Sequence, residues 1–468
     1  MTPFFSITGG TIKVPLMRVE EFLYAGGYHL YVLSPESTIF IKVEDNKVTE
    51  VYPENIYQFI MEQAKTCELE SEESREDLVD KVSTNKYRIL SNLSTILRPI
   101  TLNFIEDTQD KSYIFYKNVV VTITKDAIET KSYNELTGHV WKSQMLDSEY
   151  TGALPPEIHE ALENTFYKFL CAISPGMSID SLMSIIGYLL HRYKRQEFAK
   201  AVILYDANID KEDPCGGTGK TLLARSMGHI RKLVPENGRM NDLSSRFDLS
   251  RVTNDAELFL MDDVSQNYPF KKLFALITGD FVVERKNQNR FSIPFKLTPK
   301  LIITSNYCVS SEGVSSARRI IEFVLDDTFN LEYTPVKVYE HVFFDDWNAE
   351  QWHEFDNTMI LAIQTYLKNG VIEQTNGKKY YQLQNQTSDE FMKYAESFET
   401  LVKYDKKEKL KEFLEKYPKH IRIEGSTFTR WMKLFAQHKN WSVKESHSGD
   451  INHIQFYTDE EPKDEAKD

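Results

Sequence analysis

One loop, PCGGTGKT at residues 214–221, constrains this 468-residue chain more than any other segment. It follows an apolar run from Ala201 to Tyr205 and precedes a segment of helical composition that begins near Lys220. Glycines allow backbone N–H groups to turn inward around phosphate oxygens, and the amino end of a following helix adds the positive end of its dipole. The order of strand, glycine loop and helix therefore predicts a phosphate-binding loop.

The residues of this loop have separate predicted roles. The ammonium of Lys220 would reach the β- and γ-phosphates of a nucleotide, and the hydroxyl of Thr221 would bind Mg²⁺. Pro214 stands where the first glycine of such loops usually stands, but the later glycines are intact. ATP and Mg²⁺ are therefore the expected cofactors. The predicted nucleotide-binding residues are Cys215, Gly216, Gly217, Thr218, Gly219, Lys220, Thr221 and Leu222.

Two further apolar runs end in polar residues. Leu258 to Met261 is followed by Asp262 and Asp263, and Leu301 to Thr304 is followed closely by Asn306. Buried parallel strands have this composition, and α/β sheets place ligands at the carboxyl ends of such strands. We predict that Asp262 serves Mg²⁺, that Asp263 is the general base for the attacking water, and that Asn306 senses the γ-phosphate.

An arginine pair, Arg318 and Arg319, follows in a stretch of helix-like composition. A guanidinium supplied across a subunit interface stabilises charge on a transferring phosphoryl group. We predict this role for one of the two arginines without choosing between them. A surface pair that contacts Glu322 is the alternative.

Between the acidic pair and Asn306, residues 278–293 have two β-like arms around a polar tip, which predicts a hairpin. Cations and amides in a loop suit contacts with a nucleic-acid backbone without sequence readout, whereas a solvated turn is the alternative. The predicted DNA-binding residues of this tip are Arg285, Lys286, Asn287 and Arg290.

Together these segments resemble the superfamily 3 helicases of the phage/plasmid primase-helicase type, which are related to the AAA+ ATPases. The resemblance covers about residues 155–370 and rests on GGTGKT, LFLMDDV, LITGDFVVERKNQNRFSIPF, TPKLIITSN and SSARR. It implies a ring, a homo-hexamer, with ATP at subunit interfaces and with Lys286 as the leading channel contact to single-stranded or forked DNA. It also implies 3′-to-5′ translocation. Primase activity is not carried over, because residues 1–150 contain no convincing acidic triad.

The expected fold class is α/β, with an AAA+-like P-loop ATPase core flanked by smaller domains. An N-terminal α+β and helical domain would act as a collar or bind a replication protein. The predicted parts are 1–150 for this accessory domain, 155–200 for a helical lead-in, 201–372 for the core, 388–458 for a small winged-helix-like module, and 459–468 for an acidic tail.

Composition limits the function further. The net charge of −14 argues against a protein that coats nucleic acid with its whole surface. This charge does not exclude local contact with nucleic acid, because a basic stripe on part of the surface is enough to bind phosphates. The four cysteines are scattered without a CxxC pair, which indicates neither a zinc site nor a disulfide framework. We find no signal peptide or membrane span, and we expect a cytoplasmic protein of a bacterium or a phage-infected host.

Three hypotheses of different classes follow. The first is a ring helicase that unwinds DNA during replication of a phage or mobile element. The second is an AAA+ ATPase that remodels or loads a protein partner, for which an exposed aromatic pore residue would be more typical than the Arg-Lys-Asn-Gln tip. The third is a non-enzymatic DNA-binding module in the C-terminal part, where Lys433, Lys439 and Lys444 would contact phosphates.

Overall fold

The structure is a computed structural model that describes residues 3–34, 37–69, 71–152, 164–174, 178–206, 217–241, 243–265, 268, 270–286, 290–306, 318–330, 332–374, 383, 386–449 and 451–458. The strands are β1 (Ser6–Thr8), β2 (Thr11–Lys13), β3 (Tyr28–Ser34), β4 (Ser37–Glu44), β5 (Lys47–Val51), β6 (Pro99–Ile100), β7 (Lys111–Phe115), β8 (Val120–Thr124), β9 (Ile128–Lys131), β10 (Val140–Trp141), β11 (Ala201–Asp206), β12 (Leu233–Asn237), β13 (Leu258–Val264), β14 (Phe281–Val283), β15 (Phe291–Ile293), β16 (Lys300–Ser305), β17 (Ile320–Leu325), β18 (Lys403–Asp405), β19 (Ser442–Ser448) and β20 (Ile451–Tyr457).

The α-helices are α1 (Leu16–Ala25), α2 (Pro53–Thr66), α3 (Glu72–Thr84), α4 (Lys86–Ile96), α5 (Thr165–Ala172), α6 (Ile179–Leu190), α7 (Lys220–Ser226), α8 (Phe270–Thr278), α9 (Pro335–Tyr339), α10 (Ala349–Asn369), α11 (Asp389–Ala395), α12 (Lys406–Lys416) and α13 (Gly425–His438). Within the described ranges, no helix is both long and apolar enough to cross a membrane.

A five-stranded parallel sheet with the order β12-β13-β16-β11-β17 forms the centre of the fold. Three of these strands, β11, β13 and β16, are the apolar runs that the sequence predicts. Alternate residues of β11 enter two hydrophobic cores, Val202 and Leu204 on one face of the sheet and Ile203 and Tyr205 on the other. The fold class is therefore α/β, as predicted.

The sequence did not predict two strands of this sheet, β12 and β17. Arg318 and Arg319 form a turn and lead directly into β17, so the helix-like interpretation is wrong for these two residues, and residues 307–317 lie outside the described residues. All six residues of β17 are buried, and its β-branched and apolar side chains suit a strand covered on both faces. The edge strand β12 contains Pro235, which an edge strand tolerates because one of its sides needs no ladder hydrogen bonds.

Helices α5, α6 and α10 cover one face of the sheet, where their apolar side chains share a core with β11. The crossing of α6 and α10 is close at Gly187, where an added Cβ atom would lie 2.0 Å from the carbonyl oxygen of Ala362. Only glycine fits at that point. The predicted helix from Gln351 to Lys368 corresponds to α10, which ends at Gly370 with a φ of 68°.

Residues 1–150 contribute to two cores. Helices α1 to α4 pack on a five-stranded sheet of order β10-β5-β4-β3-β6 around a core of their own. The antiparallel sheet β7-β8-β9 instead places Ile114, Val121 and Ile123 in the core of the central sheet. The predicted domain boundaries remain a prediction, but β7 and β8 pack with the central sheet, whereas Val140 and Trp141 pair with the N-terminal strand β5.

A buried ion pair fixes that packing. The Arg231 and Asp107 side chains are 1% and 2% exposed and approach within 3.8 Å. Arg231 also donates to the carbonyl of Tyr113 at 2.9 Å, and Asp107 accepts from the backbone N–H of Arg192 at 2.7 Å. Burial by itself raises the pKa of Asp107, but Arg231 and the other nearby positive groups outweigh it and hold the pKa below its usual range. Substitution of either residue by a neutral one would leave the other as an unpaired buried charge.

The C-terminal residues form a separate small core around Phe428, Trp431 and Phe435. Helix α13 is followed by the antiparallel pair β19–β20, which is the helix and hairpin that the sequence predicts. The winged-helix assignment stays a prediction. Lys433 and Lys439 are ion-paired with Glu445 and Glu396, and the predicted acidic tail lies outside the described residues.

Candidate active site

The phosphate loop is described from Gly217 onward, and the predicted residues Pro214, Cys215 and Gly216 lie outside the described residues. Gly217 and Gly219 have φ angles of 109° and 97°, which side-chain-bearing residues rarely adopt. Helix α7 begins immediately after Gly219. The described part of the loop therefore has backbone conformations that suit glycine, and its role in binding phosphate stays a prediction.

The described part of this loop lines a cavity of about 790 Å³. The same cavity is lined by Asp262, Asp263 and Asn306, so the structure brings together the polar ends of β11, β13 and β16. The parallel order of the strands causes this convergence, because carboxyl ends of parallel strands meet at one edge. The lining also has an apolar part, which includes Pro335, Val336, Val342 and Phe343.

The predicted Mg²⁺ ligands lie next to each other. The Thr221 hydroxyl donates to Asp262 Oδ1 at 2.9 Å, and Thr304 donates to the same oxygen at 2.7 Å. Arg225 Nη2 lies 3.3 Å from the other carboxylate oxygen. A hydroxyl and one carboxylate are hard oxygen donors, and Mg²⁺ is usually held by one or two carboxylates together with waters and substrate phosphates. The residues present fit this ion.

Asp263 points to a different part of the cavity than Asp262. The strand has an irregular register between Met261 and Val264, and Asp263 itself has a φ of 59°. A bulge of this kind re-aims a side chain, which explains how two consecutive carboxylates reach the same cavity. Asp263 Oδ2 lies 2.8 Å from Arg239 Nε, and its Oδ1 lies 3.5 Å from Asn306 Nδ2, a long separation for a direct hydrogen bond.

Lys220 is held by an acidic residue that the sequence interpretation missed. Its ammonium donates to Asp206, the last residue of β11, and both side chains are buried. The sequence signal that could have indicated this residue is the aspartate that ends the apolar run AVILYD. Arg225, Arg239 and Thr304 were also missed, because their roles depend on the packing of neighbouring strands and loops.

The arginine pair lies at the other edge of the sheet. In the pairing of β11 with β17, Ile320 is opposite Ala201 and Leu325 is opposite Asp206. Arg318 and Arg319 therefore lie at the start of β17, and the length of this six-residue strand, about 20 Å, separates them from the end of the sheet that carries the phosphate loop. The Arg318 side chain is exposed, whereas Arg319 is half-buried with its guanidinium 5.4 Å from the ring of Phe274.

The predicted hairpin is present as the antiparallel pair β14–β15. Lys286 and Arg290 are exposed, and Asn287 lies outside the described residues. Arg285 is placed differently from these two. Its guanidinium donates to the carbonyls of Ser250 and Val252 at 3.0 Å each and lies 5.1 Å from the ring of Phe291.

These contacts give Arg285 a measurable structural role. We expect Arg285→Ala to lower the free energy of unfolding by about 1–3 kcal/mol, because two partly buried carbonyls lose their donor. Urea unfolding measures this loss. The matched variant Arg290→Ala removes an exposed arginine of the same hairpin and should stay within about 0.5 kcal/mol of the wild type. Equal stability of the two variants would contradict the structural role of Arg285.

Comparison with known proteins gives distant matches. The model of a family of unknown function (DUF5906) matches residues 214–319. No curated protein matches the sequence. Among solved structures, the apo A form of the NrS-1 C-terminal region is 13% identical over 94% of this chain and 100% of that chain, with a TM-score of 0.39. A JCV helicase bound to an acetamide compound is 14% identical over 50% of this chain and 67% of that chain, with a TM-score of 0.27. Similarities this distant assign no activity.

Proposed function

We propose that this chain is an ATP-driven helicase that forms a ring and translocates on single-stranded DNA. One observation carries the proposal. A single cavity is lined by the phosphate loop, the acidic pair and Asn306, which follow three strands of the central sheet. The hairpin with exposed cations lies in the sequence between the acidic pair and Asn306. The cavity suits nucleotide hydrolysis, and the hairpin suits a nucleic-acid backbone.

The proposed roles follow from the positions of the side chains. Lys220 and the backbone N–H groups of Gly217 to Lys220 would hold the phosphates. Asp263 would accept the proton of the attacking water, and Asn306 would orient that water beside the γ-phosphate. Mg²⁺, held by Thr221 and Asp262, would neutralise charge on the phosphate oxygens.

The apolar wall offers a place for the nucleoside. Phe343 is buried, whereas Val336 and Val342 are partly exposed at the cavity. Ligand sites commonly combine such apolar surface with a few polar groups that fix orientation. We propose that the base and sugar rest on this wall while the triphosphate points toward the loop.

The arginine pair supports assembly into a ring. Arg318 is exposed but separated from its own phosphate loop by the length of β17, so it would serve a neighbouring subunit. A residue that acts on the next subunit requires a head-to-tail contact, and such contacts close into rings. We propose Arg318 for this role, because Arg319 is already packed on Phe274.

The first experiment measures ATP hydrolysis with and without single-stranded DNA on material whose mass is determined by light scattering. We expect hydrolysis to be stimulated by DNA in a particle several times the mass of one chain. Lys220→Ala, which removes the predicted phosphate contact and is purified in the same way, gives the background rate.

The outcomes separate the hypotheses. Hydrolysis that is indifferent to single-stranded DNA and RNA would contradict a helicase and favour an ATPase that remodels a protein partner. Hydrolysis by a particle of one chain would contradict the ring and the role of Arg318. A rate no higher than that of the Lys220→Ala background would contradict the ATPase itself.

A further inference from the structure

Asp206 lies beneath the phosphate loop and binds two of its side chains. One carboxylate oxygen accepts from the hydroxyl of Thr218, and the other accepts from the ammonium of Lys220. The Lys220 ammonium also lies 3.3 Å from the Thr218 hydroxyl. The three groups form a closed cluster in which Lys220 is directed at a protein carboxylate.

This cluster is shielded from water. The side chains of Asp206 and Lys220 are 3% and 8% exposed. Burial raises the pKa of the Asp206 carboxyl, although Lys220 beside it acts in the opposite direction. A buried carboxylate is costly unless its charge is paired, so Asp206 depends on Lys220 for that pairing.

The predicted nucleotide chemistry makes a competing demand on the same ammonium. A phosphate loop uses its lysine to contact the β- and γ-phosphates, which carry negative charge themselves. Entry of a triphosphate would therefore bring like charge toward Asp206 while drawing Lys220 away from it. Both effects oppose nucleotide binding for as long as the carboxylate stays charged.

We propose that Asp206 is an internal competitor of the nucleotide, which holds Lys220 in the empty site and gives it up when the triphosphate binds. This inference rests on the proposed ATP site and adds a positioning residue to it. The competition lowers nucleotide affinity. It also favours release of the product, because Lys220 can return to Asp206 as the diphosphate leaves.

The test compares nucleotide binding by the wild type and by Asp206→Asn, using the full chain without DNA. Asparagine has nearly the same shape and can still accept from Thr218, but it does not hold an ammonium as a carboxylate does. We expect a fluorescent ADP and a non-hydrolysable ATP analogue to bind at least about tenfold more tightly to the variant. A tenfold change in the dissociation constant corresponds to the lower end of the stabilisation that a charged hydrogen bond provides. The KM for ATP should fall, and ADP should dissociate more slowly in stopped-flow experiments.

Asp327→Asn is a matched control. Asp327 is exposed, follows the neighbouring strand β17, and acts on Asp206 only through its charge. Its removal should change nucleotide affinity much less than Asp206→Asn does. Equal tightening by both variants would overturn the proposal, because a general reduction of negative charge would then explain the result.

Nucleotide affinity also distinguishes the proposed competition from a purely structural role of Asp206, because loss of a structural contact would not increase that affinity. If Asp206 only stabilised the fold, Asp206→Asn would bind nucleotide equally or more weakly, and this result with an unchanged melting temperature would overturn the proposal. Should Asp206→Asn fail to fold, Asp206→Ser carries the test, because serine also removes the charge and can still accept from Thr218. Affinity of Asp206→Ser at or below the wild-type value would then overturn the proposal. A wild type that binds no nucleotide would contradict the proposed function, whereas wild-type binding without tightening contradicts this inference alone.

Discussion

Asp263→Asn is expected to lower kcat for ATP hydrolysis by about 10²–10⁴-fold, the usual contribution of a general base. Asparagine preserves the size of the side chain and can still accept from Arg239, but it cannot take a proton from water. The loop from Gly217 to Thr221 and the carboxylate of Asp262 remain in place, so nucleotide should bind with nearly unchanged affinity. Phosphate release in single-turnover experiments, with nucleotide binding measured separately, checks both parts.

Asp262→Asn is the matched control for this prediction. Its carboxylate contacts Thr221 and Thr304, whereas Asp263 contacts Arg239, so the two acids should differ in effect. We expect Asp262→Asn to raise the Mg²⁺ concentration that half-maximal hydrolysis requires. A kcat of Asp263→Asn close to that of the wild type would show that another group accepts the proton.

Lys286→Ala is expected to abolish stimulation by single-stranded DNA and to lower the rate of strand separation by at least about tenfold, while basal hydrolysis persists. Lys286 is exposed on the hairpin and is not among the residues that line the nucleotide cavity. Each phosphate contact on single-stranded DNA contributes about 0.7 to the slope of log affinity against log salt concentration. Binding isotherms at several salt concentrations should therefore show a smaller slope for the variant.

Lys296→Ala supplies the control with the same change of charge. Lys296 is exposed in the 3-10 turn Phe295–Leu297, between the hairpin and β16, and so lies close in sequence but away from the hairpin tip. It should leave stimulation by DNA near the wild-type level. If Lys296→Ala and Lys286→Ala had equal effects, the hairpin tip would have no special role in DNA binding.

The central sheet and the position of its cavity were largely predictable because their signals are local. The runs that became β11, β13 and β16 are apolar, short and followed by polar residues, and parallel packing brings those endings together. The glycine loop and the hairpin likewise depend on the residues within them. For this reason the sequence predicted the neighbourhood of Lys220, Asp262 and Asn306 without knowledge of the remaining chain.

The rest depended on contacts between distant segments. β12 contains Pro235 and polar residues that an edge position tolerates, and β17 follows a basic pair that obscured its strand character. The role of Arg285 as a donor to the carbonyls of Ser250 and Val252 requires a loop that precedes β13 to pack against the hairpin. The pairing of Lys220 with Asp206 likewise follows from the path of the loop, not from its composition.

β16 follows the hairpin in the sequence and ends one residue before Asn306, so it links the proposed DNA-binding hairpin to the proposed ATP site. Its six residues are all buried, and β13 and β11 pair with it on either side. At its start, the Lys300 ammonium is bonded to the main-chain carbonyls of Tyr188 and His191. A strand restrained in this way behaves as a stiff rod of about 20 Å, which can shift or tilt but cannot stretch. If the proposed function is correct, movement of the hairpin would reach Asn306 along this strand, and that transmission would depend on the buried strand and not on the residues of the hairpin tip.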